Sequence, residues 1–193
     1  PSIQALYVTP TFNCDQYLML LRRSMHFRRP PSFSNALVQS IGGGNTMVLN
    51  RAALDLVQET AKHAVGVKAH DWWIYQIVSG AGGVVSYDPM PLVLYRQHDT
   101  NQVGANDTIT ASASRLIQLL KGRFRVWNSA NCTALEAAHH WLTPDARATL
   151  DTFKTARNGT LWARLLAVKR ARLYRQTRRG QIALWISAVL KKL

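Results

Sequence analysis

Acidic residues stop at Asp151, and that absence divides the chain. Eleven of the 24 Lys and Arg lie beyond it, so the tail carries +11 of the net +14 and residues 1–151 only about +3. Cysteine is scarce as well. Cys14 and Cys132 form neither a CxxC pair nor a disulfide framework, which points to a reducing, cytoplasmic setting. No apolar run approaches the roughly 20 residues of a membrane-spanning helix, and no amino-terminal signal pattern is present. The sequence opens on Pro1 rather than Met, so a piece of a longer protein is the expectation.

What is present is enough to fold. A length of 193 residues with 47% hydrophobic and 9% aromatic content supports one globular domain with a core and excludes wholesale disorder. The stretch "RRSMHFRRPPSFS" reads as a basic loop, because two consecutive prolines cannot continue a helix. In "IGGGNTMVLNRAALDLVQETAKHA" three glycines lead into a strand over 46–49. Asn50 then caps a helix in which Leu54, Val57 and Ala61 recur at helical spacing. Glycines 42–44 either border a ligand or make an ordinary tight turn.

Farther on, "HDWWIYQIVSGAGG" reads as a short helix begun or capped by Asp71 and ended by glycines. Strands follow over 84–87 and 92–95, separated by the stiff "DPMP" turn, with Arg96 and His98 just past the second. Helical patterning occupies 109–122 and 133–142. Thr143 caps a further helix with Pro144 in its first turn, and Asn158-Gly159 stops it.

Several side chains carry chemistry. A carboxylate at a helix start, as at Asp71, is held ionised by nearby N–H groups and can accept a proton from a substrate hydroxyl, or it can serve only as a cap. Trp72 and Trp73 are adjacent and point in different directions on a helix, so one can pack in the core while the other stacks on a ligand. Arg96 and His98 share a face of an extended segment. That face suits a diphosphate, the histidine bonding an oxygen or a bound metal, or is simply structural.

In combination, "GGGNTMVLNRAALDLV" and "HDWWIYQIVSGAGGVVSYDPMPLVLYRQHDTNQVGAN" resemble the acceptor-side half of family 2 glycosyltransferases, in particular the rhamnosyltransferase-like branch that builds bacterial surface polysaccharide. The resemblance spans residues 1–106. It implies an α/β, GT-A type fold and inverting transfer of rhamnose or a similar hexose from a nucleotide-diphosphate sugar. The acceptor would be a hydroxyl of a cell-surface polysaccharide or a lipid-linked molecule. By the same resemblance Asp71 is the general base. His98 and Arg96 hold the donor diphosphate or its metal, with His98 the candidate metal ligand, and Trp72, Trp73, Asn45 and Thr46 line the acceptor or sugar pocket. A divalent metal, Mg or Mn, is implied for the complete enzyme.

One departure stands out. The family's cluster of metal-holding aspartates is missing: Asp15 is isolated in "NCDQY", and no other acid precedes Asp55. This chain alone is therefore expected to be inactive.

Residues 107–159 read as a helical extension and 160–193 as a basic amphipathic helical tail. In the tail Leu161, Leu165 and Val168 share a helical face while Arg164, Lys169, Arg170, Arg172 and Arg175 fall largely elsewhere, and a more apolar segment covers 182–190. Such a pair suits an anionic membrane surface and predicts a cytoplasmic protein held peripherally at the inner face of the cell membrane. The rival reading is a non-catalytic basic module for a membrane surface or for nucleic acid. The latter partner is disfavoured because no nucleic-acid motif accompanies the charge.

Overall fold

The computed structural model of the chain describes residues 3–97 and 122–193, and these form a mixed α/β structure. Strand β1 (Ala5–Val8) is the centre of a three-stranded sheet. It pairs antiparallel with β4 (Met47–Leu49) and parallel with β5 (Val84–Tyr87). In a second sheet β2 (Thr11–Cys14) pairs antiparallel with β3 (Leu20–Arg23) and parallel with β6 (Val93–Arg96).

The two sheets share their strands' parent segments. Only Thr9 and Pro10 separate β1 from β2, and the "DPMPL" stretch separates β5 from β6, so one parallel pair gives way to another where the prolines fall. A proline has no N–H to donate, which ends the first ladder at that point. The Thr9 hydroxyl bridges the interruption by donating to the Met90 carbonyl. The "DPMP" segment therefore does not fold its flanking strands onto each other; each is paired with an earlier strand.

Local signals set the helices. Asn50 caps α2 (Arg51–Thr60) by accepting the Ala53 N–H at 2.9 Å, and its side chain also bonds Ala5 N and Ile3 O, tying the helix to β1. The buried face of α2 is Ala53, Leu56 and Thr60, rotated from the expected Leu54, Val57 and Ala61. Thr60 tolerates burial because its hydroxyl donates to Leu56 O at 2.8 Å. The expected strand over 46–49 begins at Met47, since residues 44–46 form a 3-10 turn closed by bonds from Thr46 N and Oγ1 to Gly43 O.

Helix α3 (His70–Gly80) is buried along most of its circumference, with Trp73, Tyr75, Ile77 and Val78 in the core. It packs on the one-turn α1 (Phe33–Ala36), to which Tyr75 Oη donates at Ser32 O, 3.0 Å. Gly80 is the point of closest approach: a Cβ there would stand 2.7 Å from Leu142 Cδ2 and 2.9 Å from Phe33 Cε2. Gly→Ala in an open helix gains up to about 1 kcal/mol, but overpacking a filled core costs about 1–3 kcal/mol. Gly80→Ala is expected to be net destabilising by roughly 1–2 kcal/mol in urea unfolding.

The carboxy-terminal helices are α4 (Arg123–Ala137), α5 (Pro144–Asn158), α6 (Leu161–Arg170) and α7 (Arg178–Val189). Thr143 caps α5 with Pro144 at its start, and Gly159 follows its end, as its sequence predicts. The helix expected over 133–142 is the last third of the longer α4, followed by a 3-10 turn at His139–Trp141. The expected helix over 109–122 lies almost wholly outside the described residues.

Residues 160–193 are anchored rather than free. Arg164, expected on an exposed basic face, is buried, and its guanidinium donates to Ala188 O (2.7 Å), Val189 O (2.9 Å) and Gly159 O (3.0 Å). Orphan carbonyls at the end of α7 need donors, and a planar guanidinium supplies several at once. Tyr174 O accepts from Asn35 Nδ2 at 2.9 Å, and Gln176 Oε1 accepts the Arg28 and Arg29 amides. These bonds tie the segment between α6 and α7 to α1 and to the basic loop that precedes it.

Candidate functional site

Asp71 is the second residue of α3, and the cap position belongs to Ala69, whose side chain cannot accept a hydrogen bond. The carboxylate is therefore committed to first-turn amides. Trp72 N–H donates to Asp71 Oδ1 at 2.6 Å, and the nearby Gly44 amide favours the ionised carboxylate. A half-buried carboxylate in this position joins the glycine turn to the helix start.

Burial pushes the Asp71 carboxyl above the usual aspartate range. The Trp72 amide, the His70 charge and the Gly44 amide all pull the other way and do not cancel it. A raised value makes the carboxylate a better proton acceptor once it is ionised.

Gly44 has a second duty. A Cβ on it would stand 2.3 Å from His70 Nε2, so the absence of a side chain lets the turn approach α3. His70 itself is exposed and its ring can swing aside. Gly44→Ala is thus expected to change global stability by less than about 1 kcal/mol. It should misalign the Gly44 N–H and raise the Asp71 carboxyl further, which an NMR titration of that carboxyl would read.

The other sequence candidates are distributed as follows. Asn45 is exposed beside Gly44. Thr46 is buried, and its hydroxyl is spent on Gly43 O, so it shapes the turn. Trp72 is buried, donates its Nε1–H to Ala36 O at 2.6 Å and stacks on Phe124 at 6.0 Å between ring centroids. Trp73 is buried in the core cluster. Neither indole offers an open face to a ligand, because α3 is covered on both flanks. Arg96 is the last residue of β6, opposite Cys14, rather than beyond the strand. His98 lies outside the described residues.

His70 is the member that sequence reasoning passed over, and the sequence marks Gly44 only as one of three glycines bordering a ligand or making a turn. The adjacency of His70 to Asp71 was visible, but a shared turn with Gly44 requires the fold. Asp88 was likewise only part of a turn in the sequence. In the structure it ends β5 and accepts from Tyr7 Oη at 2.6 Å, and that bond together with the Met90 amide holds its carboxyl below the usual range.

A divalent cation of the kind the resemblance implies finds no cage here. Among the described residues no three His, Cys, Asp or Glu side chains converge. The carboxylate of Asp15 is occupied by the Tyr17 and Met19 amides at 2.8 and 2.9 Å. The described donor set does not fit such an ion, and the candidate ligand His98 lies outside it.

Comparison with known proteins gives one informative likeness. Over 82 residues the chain is 32% identical to the dTDP-rhamnosyl transferase RfbG of Shigella flexneri, an alignment covering 40% of this chain and 28% of that protein. The chain thus matches less than a third of the length of this curated relative. No family model matches the chain, and no solved structure does. The likeness supports a relationship to glycosyltransferases.

Proposed function

We propose that this chain is the acceptor-side portion of an inverting, GT-A type glycosyltransferase, with Asp71 as general base. The observation that carries the reading is the Asp71 carboxylate: desolvated enough to be raised, yet held by the Trp72 amide at 2.6 Å beside the Gly44 turn. A nucleotide-diphosphate sugar is the donor, and the name of the Shigella relative makes a dTDP-linked rhamnose the first to try.

In the proposed step the acceptor hydroxyl gives its proton to Asp71 as its oxygen bonds the anomeric carbon. The bond from that carbon to the diphosphate oxygen breaks, and the nucleoside diphosphate leaves with the electron pair. Attack from the face opposite the leaving group inverts the anomeric centre. Arg96 and His98 are assigned to the diphosphate, whose charge a guanidinium meets well. Asn45, exposed beside the Gly44 turn, is assigned to the acceptor.

The direct test is to incubate the product of the full reading frame with nucleotide sugars and lipid-linked or polysaccharide acceptors, and to determine the product's anomeric configuration by NMR. A product of configuration opposite to the donor is expected. Retention, or donor binding with no transfer to any acceptor, would refute the proposal.

A further inference from the structure

The outer faces of α6 and α7 carry a feature that glycosyl transfer does not use. In α7, Ile182, Trp185, Ile186 and Val189 recur at positions i, i+3, i+4 and i+7 and are all exposed, while Leu184, Ser187 and Ala188 face inward. In α6, Trp162 and Leu166 are exposed one turn apart, with Arg164, Ala167 and Val168 inward. Trp162 is 79% exposed and Ile182 60%. Isolated apolar residues on a surface are ordinary, but two neighbouring helices each turning an apolar stripe outward mark a contact surface.

The bonds of Arg164 fix the order of the stripes along the helix axes. They set the start of α6 against the end of α7, so the helices are antiparallel and Trp162 lies at the end of the pair that holds Val189. Five of the exposed cations, Lys169, Arg170, Arg172, Arg178 and Arg179, gather at the opposite end, where one helix leads to the other, and Lys191 stands at the Val189 end. With no acidic residue after Asp151, nothing in this segment neutralises them.

We propose that α6 and α7 dock flat on an anionic phospholipid bilayer, the apolar stripes entering the headgroup boundary and the cationic end meeting lipid phosphates. A second copy of the same face would set like charge against like charge. A nucleic acid would satisfy the cations but leave Ile182, Ile186, Val189 and Leu166 in water. Helices of 10 and 12 residues lie on a bilayer rather than cross it, and among the described residues no helix is long and apolar enough to span one. Arg164 takes no part, because the fold has consumed its donors.

This inference stands independently of Asp71 and of sugar transfer, and its test uses the chain as it is. Sedimentation with vesicles of phosphatidylcholine alone, and of phosphatidylcholine mixed with phosphatidylglycerol, would be compared for the parent, Trp185→Glu/Ile186→Glu and Arg178→Gln/Arg179→Gln. Far-UV circular dichroism would establish that each variant keeps its helices. The expected result is binding to the anionic vesicles that weakens with salt. The arginine pair should lower the affinity about 30-fold, at about 1 kcal/mol per cation, and the apolar pair by at least about tenfold. Equal binding to both lipid mixtures, or full binding by either folded variant, would overturn the proposal. So would binding to duplex RNA or DNA without binding to vesicles, or a stable dimer that the Trp185→Glu/Ile186→Glu change dissociates.

Discussion

Asp71→Asn in the full-length protein is expected to lower kcat by about 10²- to 10⁴-fold, the range that a positioned general base contributes, with donor affinity nearly unchanged. The substitution keeps the shape of the side chain and an oxygen for the Trp72 amide, so the local fold survives. On the proposed reading, what it removes is the base that takes the acceptor proton. Donor binding draws on other residues, so calorimetry with the nucleotide sugar should distinguish loss of chemistry from loss of binding.

The same change has a stability signature of opposite sign. A carboxyl whose folded value is raised stabilises the native state fully at low pH and ceases to do so as pH rises through that value, because ionisation is then disfavoured in the fold. At neutral pH the native state therefore carries a small burden from Asp71 that asparagine relieves. Asp71→Asn is expected to melt at the same temperature as the parent or higher at pH 7, and to lose that advantage in acid. A carboxylate retained where folding disfavours it fits a group kept for its chemistry.

Arg164→Ala has the largest expected effect on stability. Its guanidinium meets three backbone carbonyls, two of them at the end of α7, and the site is buried. Removing it takes a donor from each of those carbonyls, Ala188 O keeping the Lys191 amide at 3.4 Å, at about 1–3 kcal/mol for each left unpaired when buried, with partial recovery as water enters. A net loss of about 3 kcal/mol follows, which for a domain of this size lowers Tm by about 6–12 °C. Arg164→Lys should recover only a minor part, because a single ammonium cannot span three acceptors in a plane. Thermal unfolding of the two variants would check this. A stable Arg164→Ala protein with weakened vesicle binding would instead return this arginine to the membrane-facing role that its sequence suggested.

Features governed by near neighbours in the chain were legible. Asn50 before α2, Thr143-Pro144 before α5, Gly159 after it, and β5 as an isolated apolar run all follow from residues within a few positions. Strand pairing was not legible in the same way. That β5 lies parallel to β1 and β6 parallel to β2 depends on contacts about 80 residues apart, and no short motif encodes such a choice. The direction of a side chain was equally hidden at Trp72, which the family resemblance put in a ligand pocket, and at Arg164, which helical phase put on an exposed face. Both are buried because a second element, α1 for the one and α7 for the other, offers carbonyls that need their N–H groups. The candidate site was half readable: Asp71 stood out, whereas its junction with Gly44 and His70 needs two segments brought together.

The most direct test of the central claim is the pH dependence of sugar transfer by the full-length protein, wild type beside Asp71→Asn. The account predicts that wild-type kcat rises along an acid limb whose midpoint lies above the ordinary aspartate range, and that the limb is absent from the residual activity of the asparagine variant. An identical limb in both proteins, or turnover in the variant close to wild type, would contradict Asp71 as the base.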